Sequence, residues 1–585
     1  MFFPDGGIFR IFLSESRLTG YNPGMIFEEF AEYLEKLEGT GSRLEMTRIL
    51  AELFLKVTPG EARIIAYMSQ GKLGPAYNSP DFGVADKLML RALTIIGGEK
   101  TAEIFQTEGD LGRTAEKVAG NGAGKLSLME VYERLTQIAQ SGGSGSVDVK
   151  QKLIGDLVKE SGKKGAKFAV KMVLGKLRTG FSDMTVLDSL SWMITGDKKL
   201  RPEIEKIYNV RADLGEVAEL IKKTDDVKKI RVNPKPGVPV LGARAERAKN
   251  TGEIWDRNGK CAVEHKLDGL RIQAHVGKSE IRLFSRGLED VTKMYPDVAE
   301  GLKDQIKGEC ILDGEMIAVG KDGKYLPFQE TVQRKRKYDI LEMSKQVPLK
   351  YFVFDVLMTD GENVMGKMNS ERWEILEKLV GTGEVVKLIP RMTAGSREEI
   401  EVYFKRALDL GTEGVVAKRL DAVYQSGSRN FNWIKFKKSY DESALSDTID
   451  AVVLGYDFGQ GKRSGFGIGD FLIGLYDPKS ENFKTVAKIG TGLTDEEWRE
   501  MKIKCEKVKS DAMPGNYVVS RQMGCEVWVN PKIVVEIKAD EITKSPMHTC
   551  GYALRFPRLV GFREKLPEDT TSVSEIERLF NLQKK

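Results

Sequence analysis

Glu264-His-Lys-Leu-Asp-Gly-Leu-Arg271 is the stretch on which the reading of this chain turns. Ala262 to Leu267 reads as a short strand, and Asp268-Gly269 as a turn, because Asp and Gly are residues that tight turns accept. Lys266 then stands at a strand-to-turn junction, where a strand fixes its backbone and its amine can reach a ligand. Taken alone, the same pattern describes a surface lysine ahead of a turn. The residues around it have to decide.

Working outward, short β-rich runs continue: Arg271 to Val276, Ile281 to Ser285, Cys310 to Val319, Tyr351 to Leu357 and Gly414 to Lys418. Helices are expected at Ser370 to Val380 and Arg397 to Leu410, which makes this part α+β. Charged residues recur inside its apolar runs. Arg286 follows Phe284-Ser285, and Glu315 lies in Ile311-Leu-Asp-Gly-Glu-Met-Ile317. Phe354 lies in Tyr351-Phe-Val-Phe-Asp-Val-Leu357, Glu413 and Lys418 in Glu413-Gly-Val-Val-Ala-Lys418, and Lys435 and Lys437 in Trp433-Ile-Lys-Phe-Lys437. Charge in an apolar strand is costly unless something pairs with it. Together these groups suit a nucleotide: cations for phosphates, carboxylates for a metal or the ribose, an aromatic for the base.

Both flanks change texture. From Met25 to about Lys228 the pattern is helical; Ile26, Phe30, Leu34 and Leu37 share one face, and Ile49, Leu50, Leu53, Phe54 and Val57 continue the style. Further helices are expected at Leu126 to Ile138, Val149 to Lys159 and Lys167 to Leu177, with Ser141 to Ser146 (SGGSGS) as a flexible connection. Val232-Asn-Pro-Lys-Pro-Gly-Val-Pro239 reads as an extended crossing between domains. Beyond about Asp447 strands dominate, at Asp450 to Asp457, Asp470 to Tyr476, Thr485 to Ile489 and Ile533 to Ile542, with turns such as Gly459-Gln-Gly-Lys462; a small closed barrel of the oligonucleotide-binding kind fits them. Ser574 to Lys585 reads as a short helix, and Met1 to Gly24 as a loose extension before Met25.

Composition narrows the function. At 585 residues the chain is too long for one core; at ~150 residues per domain it holds about three or four. It has no apolar run of ~18 residues that would span a membrane and no signal-peptide pattern. Five scattered cysteines without a CxxC pair exclude a zinc ribbon and a disulfide framework, and suit a reducing cytosol. Three histidines exclude a His-rich metal site. The net charge of +5 permits nucleic-acid binding without demanding it.

In order and spacing, KLDGLR, SRG, LDGE, FVFDVL, EGVVAK and WIKFKK resemble the motifs of the ATP-dependent DNA ligases, within the covalent nucleotidyltransferase superfamily. The resemblance runs from about Met25 to the C-terminus, and the layout looks archaeal. Tyr67-Met-Ser-Gln-Gly-Lys-Leu-Gly-Pro75 and Leu177-Arg-Thr-Gly-Phe-Ser-Asp-Met-Thr-Val-Leu-Asp188 are similar to the DNA-binding domain of the larger ligases. The resemblance implies that Lys266 attacks the α-phosphate of ATP and becomes a lysyl-AMP. It places Glu264 beside the adenine, Arg271 on the ribose or the nick 5′-phosphate, and Arg286 on the sugar or α-phosphate. Glu315 holds the ribose and helps place a metal, Phe354 stacks on adenine, and Glu413 binds the divalent cation, Mg²⁺ or Mn²⁺. Arg429, Lys435 and Lys437 bind phosphate, and Asp268 orients the amine or a metal water. A free lysine has a pKa near ~10.4, so only about one in a thousand is neutral near pH 7, and a lysine nucleophile has to be neutral.

Arg555-Phe-Pro-Arg558 to Arg563-Glu-Lys565 resembles the motif that closes over ATP; the family's Arg-x-Asp-Lys is here Arg563-Glu564-Lys565, one position shorter and without the aspartate. Gly120-Asn-Gly-Ala-Gly-Lys-Leu-Ser127 fails the spacing of a P-loop and reads as a helix connection. Arg334-Lys-Arg-Lys-Tyr338 reads as a solvated charge run, with contact to a DNA backbone as the alternative its position offers, and Gln151-Lys-Leu-Ile154 as an amphipathic helix more than a clamp-binding peptide.

The expectation is therefore multidomain: an extension at 1–24, an all-α DNA-binding domain at 25–231, an α+β nucleotidyltransferase domain of the ATP-grasp-like ligase kind at 232–444, and an OB-fold β-barrel with a tail at 445–585, the three domains closing round a nick. Nicked duplex DNA is the expected partner, with a sliding clamp as a second; the enzyme is expected to be monomeric, cytoplasmic and independent of membranes, serving replication, repair and recombination. An RNA ligase or other lysyl-nucleotidyltransferase, and a non-catalytic DNA-binding scaffold, remain as alternatives.

Overall fold

Of the chain, the computed structural model describes residues 24–583 except 41, 120–123, 144, 178, 321, 327, 336–338, 438–447, 460–465, 540 and 556. The extension at 1–24 therefore lies, but for Gly24, outside the described residues, as do parts of the connections at 120–127, 141–146 and 459–462, of the charge run 334–338, and the expected boundary at 444/445. Two compact units result, Met1–Asn233 and Pro234–Lys585.

Every regular element described in the first unit is helical. Phe27–Glu38 buries Phe30, Leu34 and Leu37, and Arg43–Lys56 buries Ile49, Leu50, Leu53 and Phe54, as the apolar spacing predicts. Ile26 instead stands at the N-cap and is exposed. The expected helix at Lys167 to Leu177 runs from Lys163 to Val173; Gly175, at φ +64°, follows the turn that ends it. Pro59–Met68 starts on a Thr58/Glu61 capping box with proline in its first turn, a start signal that apolar periodicity alone misses. Gln151 to Ile154 lies inside the helix Ser146–Glu160 with Ile154 buried, so that stretch is an amphipathic helix.

Two quoted segments of this unit touch. Thr179 donates to the Ser69 carbonyl at 2.9 Å and Gln70 to Asp183 at 2.9 Å. Beside them Asp213 accepts from the buried phenols of Tyr67 and Tyr77 and caps the helix Leu214–Lys223 through the Glu216 N–H.

The second unit begins with two sheets. The first has the order β1 (Arg244–Arg247), β9 (Arg429–Lys437), β8 (Gly414–Arg419), β2 (Cys261–Lys266), β7 (Arg391–Ala394). Helices Thr251–Asn258 and Arg397–Asp409 cover it through Ile254, Ile400 and Phe404, packed on Val263, Val415 and Phe436. The second runs β4 (Ile281–Ser285), β3 (Leu270–Val276), β5 (Cys310–Ala318), β6 (Leu349–Thr359), then Glu362–Asn363, with Val386–Leu388 parallel to β6. Its buried face packs against Pro296–Gln305 and Asn369–Leu379. The Asp-Gly turn after Lys266 joins the two sheets.

The C-terminal part is β-rich with curled sheets. Ile449–Asp457, Asp470–Asp477 and Asn482–Ile489 form its antiparallel centre, and Val534–Lys538 pairs with both Ile449–Asp457 and Arg558–Arg563. Two expectations need correcting. Ile533 to Ile542 is not one strand: Val534–Lys538 belongs to the main sheet of this part and Glu541–Lys544 to a hairpin with Tyr552–Arg555, the chain leaving that main sheet after Lys538. A helix, Asp495–Lys507, also interrupts the strands. Its charge hides the pattern, but Trp498, Met501 and Cys505 are buried three and four residues apart, and Thr494 with Glu497 forms a capping box. Arg334 is likewise no solvated loop residue; it is 1% exposed and forks onto Asp297 at 2.6 and 3.1 Å. Among the described residues no helix is long and apolar enough to cross a membrane.

Asp213→Ala takes the shared acceptor from two buried phenols and removes a cap. It is expected to cost the helical unit ~2–4 kcal/mol. Urea unfolding followed in that unit measures this, and a loss under ~1 kcal/mol would count against the hub.

Candidate active site

Lys266 is the last residue of β2. β8 runs antiparallel to it with Gly414 opposite Lys266, and the Glu413 N–H donates to the Lys266 carbonyl at 2.9 Å. This register brings the Glu413 carboxylate onto the Lys266 amine as an ion pair. Lys437, opposite Gly414 on β9, meets the other oxygen of Glu413 at 3.1 Å. Glycine is required at 414, where a Cβ would run into the Phe436 carbonyl oxygen, and at 269, where it would run into that of Met316. The Asp-Gly pair is thus as much a matter of close passage against β5 as of turn chemistry.

Two further carboxylates stand round the amine. Burial pushes the Asp268 carboxyl up to about 6, with the negative Glu413 adding to it and Arg563 opposing it; Arg563 Nη1 is 3.4 Å away. Burial pushes Glu315 up to about 7, opposed by Lys266 and Arg271 and reinforced by Glu413 and Asp268. Arg271, opposite Glu315 across β3 and β5, forks onto Asp313 at 3.0 and 2.6 Å and donates to the Ala243 carbonyl at 2.7 Å.

Phe354 is half-buried on β6. Its ring stands at 84° to that of Trp433, centroids 5.9 Å apart, with the Arg271 guanidinium 5.5 Å and the Lys418 ammonium 4.7 Å from its centre. The Glu264 carboxylate is 2% exposed, faces Lys418 at 2.8 Å and Arg391 at 3.6 Å, and therefore turns into the protein. Lys418 also donates to the Phe354 carbonyl at 2.8 Å, and Asp355 beside it is forked by Arg372 at 2.7 and 3.0 Å.

The cations expected on phosphate lie at the C-terminal part. Arg286 reaches Asp569 at 2.9 and 3.1 Å, Asp569 also pairs with Arg244, and Arg429 meets Glu575 at 2.9 Å. The Lys435 amine makes no hydrogen bond or ion pair with the described residues; burial, then Lys565, Lys437 and Arg429, hold it well below the usual lysine range. Despite the shortened motif, Arg563 and Lys565 both arrive: Arg563 stands near Asp268, and Lys565 pairs with Asp450. Arg555 and Arg558 are exposed on their strands. Asp313, Arg391, Arg244, Asp569 and Glu575 were not singled out in the sequence; Asp313 could have been found within Leu-Asp-Gly-Glu, whereas the tail acids carry no local signal.

Comparison with known proteins shows the family of the chain. The family model "ATP dependent DNA ligase domain" matches residues 243–437, "DNA ligase N terminus" matches 26–191, and "ATP dependent DNA ligase C terminal region" matches 464–566. A "Probable DNA ligase" of Dictyoglomus turgidum is 43% identical over 577 residues, covering 96% of this chain and 98% of the relative. "DNA ligase 2" of Thermofilum pendens is 38% identical over 594 residues, with the same coverage of 96% and 98%. Among solved structures, a mycobacterial DNA ligase D complexed with ATP and MES is 24% identical and covers 57% of this chain and 98% of its own, at a TM-score of 0.35. The chain belongs to the ATP-dependent DNA ligase family. It is an enzyme that uses ATP and acts on DNA.

A free glutamate titrates near ~4.3, whereas Glu315 is pushed up to about 7 in the fold. Between those values the folded chain holds the proton more tightly than the unfolded one. Ionised Glu315 therefore costs stability increasingly as pH rises from about 4 to 7, and by a constant amount above. Glu315→Gln stays neutral, so it is expected to match the wild type near about pH 4 and to exceed its stability at about pH 8. Urea melts showing no such gap would contradict the burial of this carboxyl.

Proposed function

We propose that Lys266 is the nucleophile and that the chain seals nicks in duplex DNA in three steps. The Lys266 nitrogen bonds to the α-phosphorus of ATP and pyrophosphate leaves. The AMP then passes to the 5′-phosphate of the nick, freeing Lys266. The 3′-hydroxyl finally bonds to that phosphorus and AMP leaves. One observation carries the reading: the Lys266 amine, at the end of its strand, is held by Glu413, whose other carboxylate oxygen meets Lys437.

The other roles follow from position. Phe354 is the platform for adenine. Arg271 takes the ribose or the nick 5′-phosphate, and Arg286, Arg429, Lys435 and Lys437 take phosphates. Lys435, which lacks an internal partner among the described residues, supports this best. Glu315 holds the ribose, while Glu264 acts from behind the base through Lys418 and Arg391. Asp268, Glu315 and Glu413 offer the hard carboxylate oxygens that suit Mg²⁺ or Mn²⁺, and their mutual repulsion is among the causes that raise Asp268 and Glu315. The described residues hold no ready group of three ligands. Such an ion would neutralise charge on the phosphates.

We read the helical segment as the DNA-binding domain, 25–231, the two sheets as the nucleotidyltransferase domain, 232–444, and 445–585 as an OB-fold barrel with its tail. The antiparallel order of Ile449–Asp457, Asp470–Asp477 and Asn482–Ile489 supports the barrel. The setting inferred is a cytoplasmic monomer serving replication, repair and recombination; a sliding clamp would be an additional partner.

With α-labelled ATP the protein is expected to take up covalent label that GTP or NAD does not give, and Lys266→Ala to take up none. Lys266→Ala should still seal a nick already carrying a 5′-adenylate, since that step uses the 3′-hydroxyl. Equal label on the variant would sink the assignment, and nicked RNA sealed as fast as nicked DNA would favour the RNA-ligase reading.

A further inference from the structure

Arg271 is held by a closed ring of hydrogen bonds that contains one residue without an assigned role. Asp313 accepts from Arg271 Nε at 3.0 Å and Nη2 at 2.6 Å. The same Asp313 Oδ2 accepts from the Tyr424 hydroxyl at 2.7 Å. The Tyr424 oxygen accepts from the Ala243 N–H at 2.9 Å, and the Ala243 carbonyl accepts from Arg271 Nη1 at 2.7 Å. The ring thus joins β3, β5, the segment ahead of β1 and the β8–β9 connection.

Its parts are fixed. Tyr424 is 5% and Asp313 1% exposed. The Tyr424 N–H donates to the Met365 carbonyl at 2.9 Å, and its ring stands at 84° to Trp433, centroids 5.6 Å apart. Gly242 lets the chain pass the guanidinium, since a Cβ there would lie 2.7 Å from Nη2. Donor directions are also set. The Ala243 amide can only donate to the phenol oxygen, so the phenol proton is free to point at Asp313. Burial and Asp313 push the phenol well above its ordinary range, which keeps that proton in place.

A guanidinium has five N–H donors; the ring uses three of them. The remaining two make no hydrogen bond with the described residues, and Asp313 and Ala243 set the plane in which they lie. We propose that Tyr424 is a positioning residue for the ligation reaction: through Asp313 and the Ala243 peptide it aims the two unused N–H groups of Arg271 at the phosphate or ribose that Arg271 contacts. This rests on the reading of Arg271 as a substrate contact. A misaimed bidentate donor loses transition-state contact without losing the fold.

Tyr424→Phe removes one oxygen and keeps the ring. Three proteins besides the wild type decide the matter: Tyr424→Phe, Arg271→Ala and the double variant. Rapid-quench assays separate self-adenylylation by ATP, adenylate transfer to nicked DNA, and sealing. Tyr424→Phe is expected to slow the same step that Arg271→Ala slows, by on the order of tenfold, the factor given by ~1.4 kcal/mol of lost transition-state stabilisation. In the Arg271→Ala background it should change that step by less than ~2-fold, because its effect passes through Arg271. If Arg271→Ala slows a step and Tyr424→Phe does not, or if the two effects multiply in the double variant, the positioning role is wrong and the reading of Arg271 survives. If Arg271→Ala slows no step, that reading falls and the proposal with it.

Discussion

The contact between Lys266 and Glu413 is the constraint on which the site depends. An ammonium and a carboxylate at the junction of two strands must be paired, because neither is tolerated alone in a partly buried position. The pairing is possible only because β8 lies against β2 with Gly414 opposite Lys266, and because a residue without a side chain at 414 lets β9 pass close by. β9 then brings Lys437 to the same carboxylate. One register decision thus assembles the proposed nucleophile, its counter-ion and a phosphate-directed cation.

The same rule orders the surroundings. The carboxylates of Asp313, Asp355 and Glu264 are almost wholly buried, and each faces a cation: Arg271, Arg372 and Lys418. Lys418 matters doubly, because it stands on the first sheet and donates to the Phe354 carbonyl on the second. Phe354, the proposed base platform, and Lys266, the proposed nucleophile, belong to different sheets, and this ammonium ties the two sheets. The Lys435 amine, which makes no ion pair with the described residues, departs from the pattern, and this is the ground for its proposed place on phosphate.

Much of this was legible in the sequence where chemistry and local pattern coincide. Lys266, Glu315, Phe354, Glu413, Lys435 and Lys437 could be named because charge inside an apolar strand, or an aromatic among charges, is locally visible. The strands at Ile281–Ser285 and Cys310–Ala318 and the helix Arg397–Asp409 were legible from alternation and apolar spacing. What escaped was set by contacts distant in sequence. Asp569 and Glu575 look like ordinary tail acids until folding brings them to Arg286 and Arg429. Nothing local at Glu264 tells that Lys418, more than a hundred residues on, pairs with its carboxylate. The helix Asp495–Lys507 escaped because dense charge diluted its apolar stripe, and the break after Lys538 because alternation says nothing of which sheet a strand joins.

The central claim is that the amine held by Glu413 is the atom that carries AMP. Fragment-ion mass spectrometry of protein reacted with ATP, without DNA, locates the adduct residue by residue. The account requires a single adenylylated site, Lys266. AMP on Lys418, Lys435 or Lys437, or spread over several lysines, would contradict it.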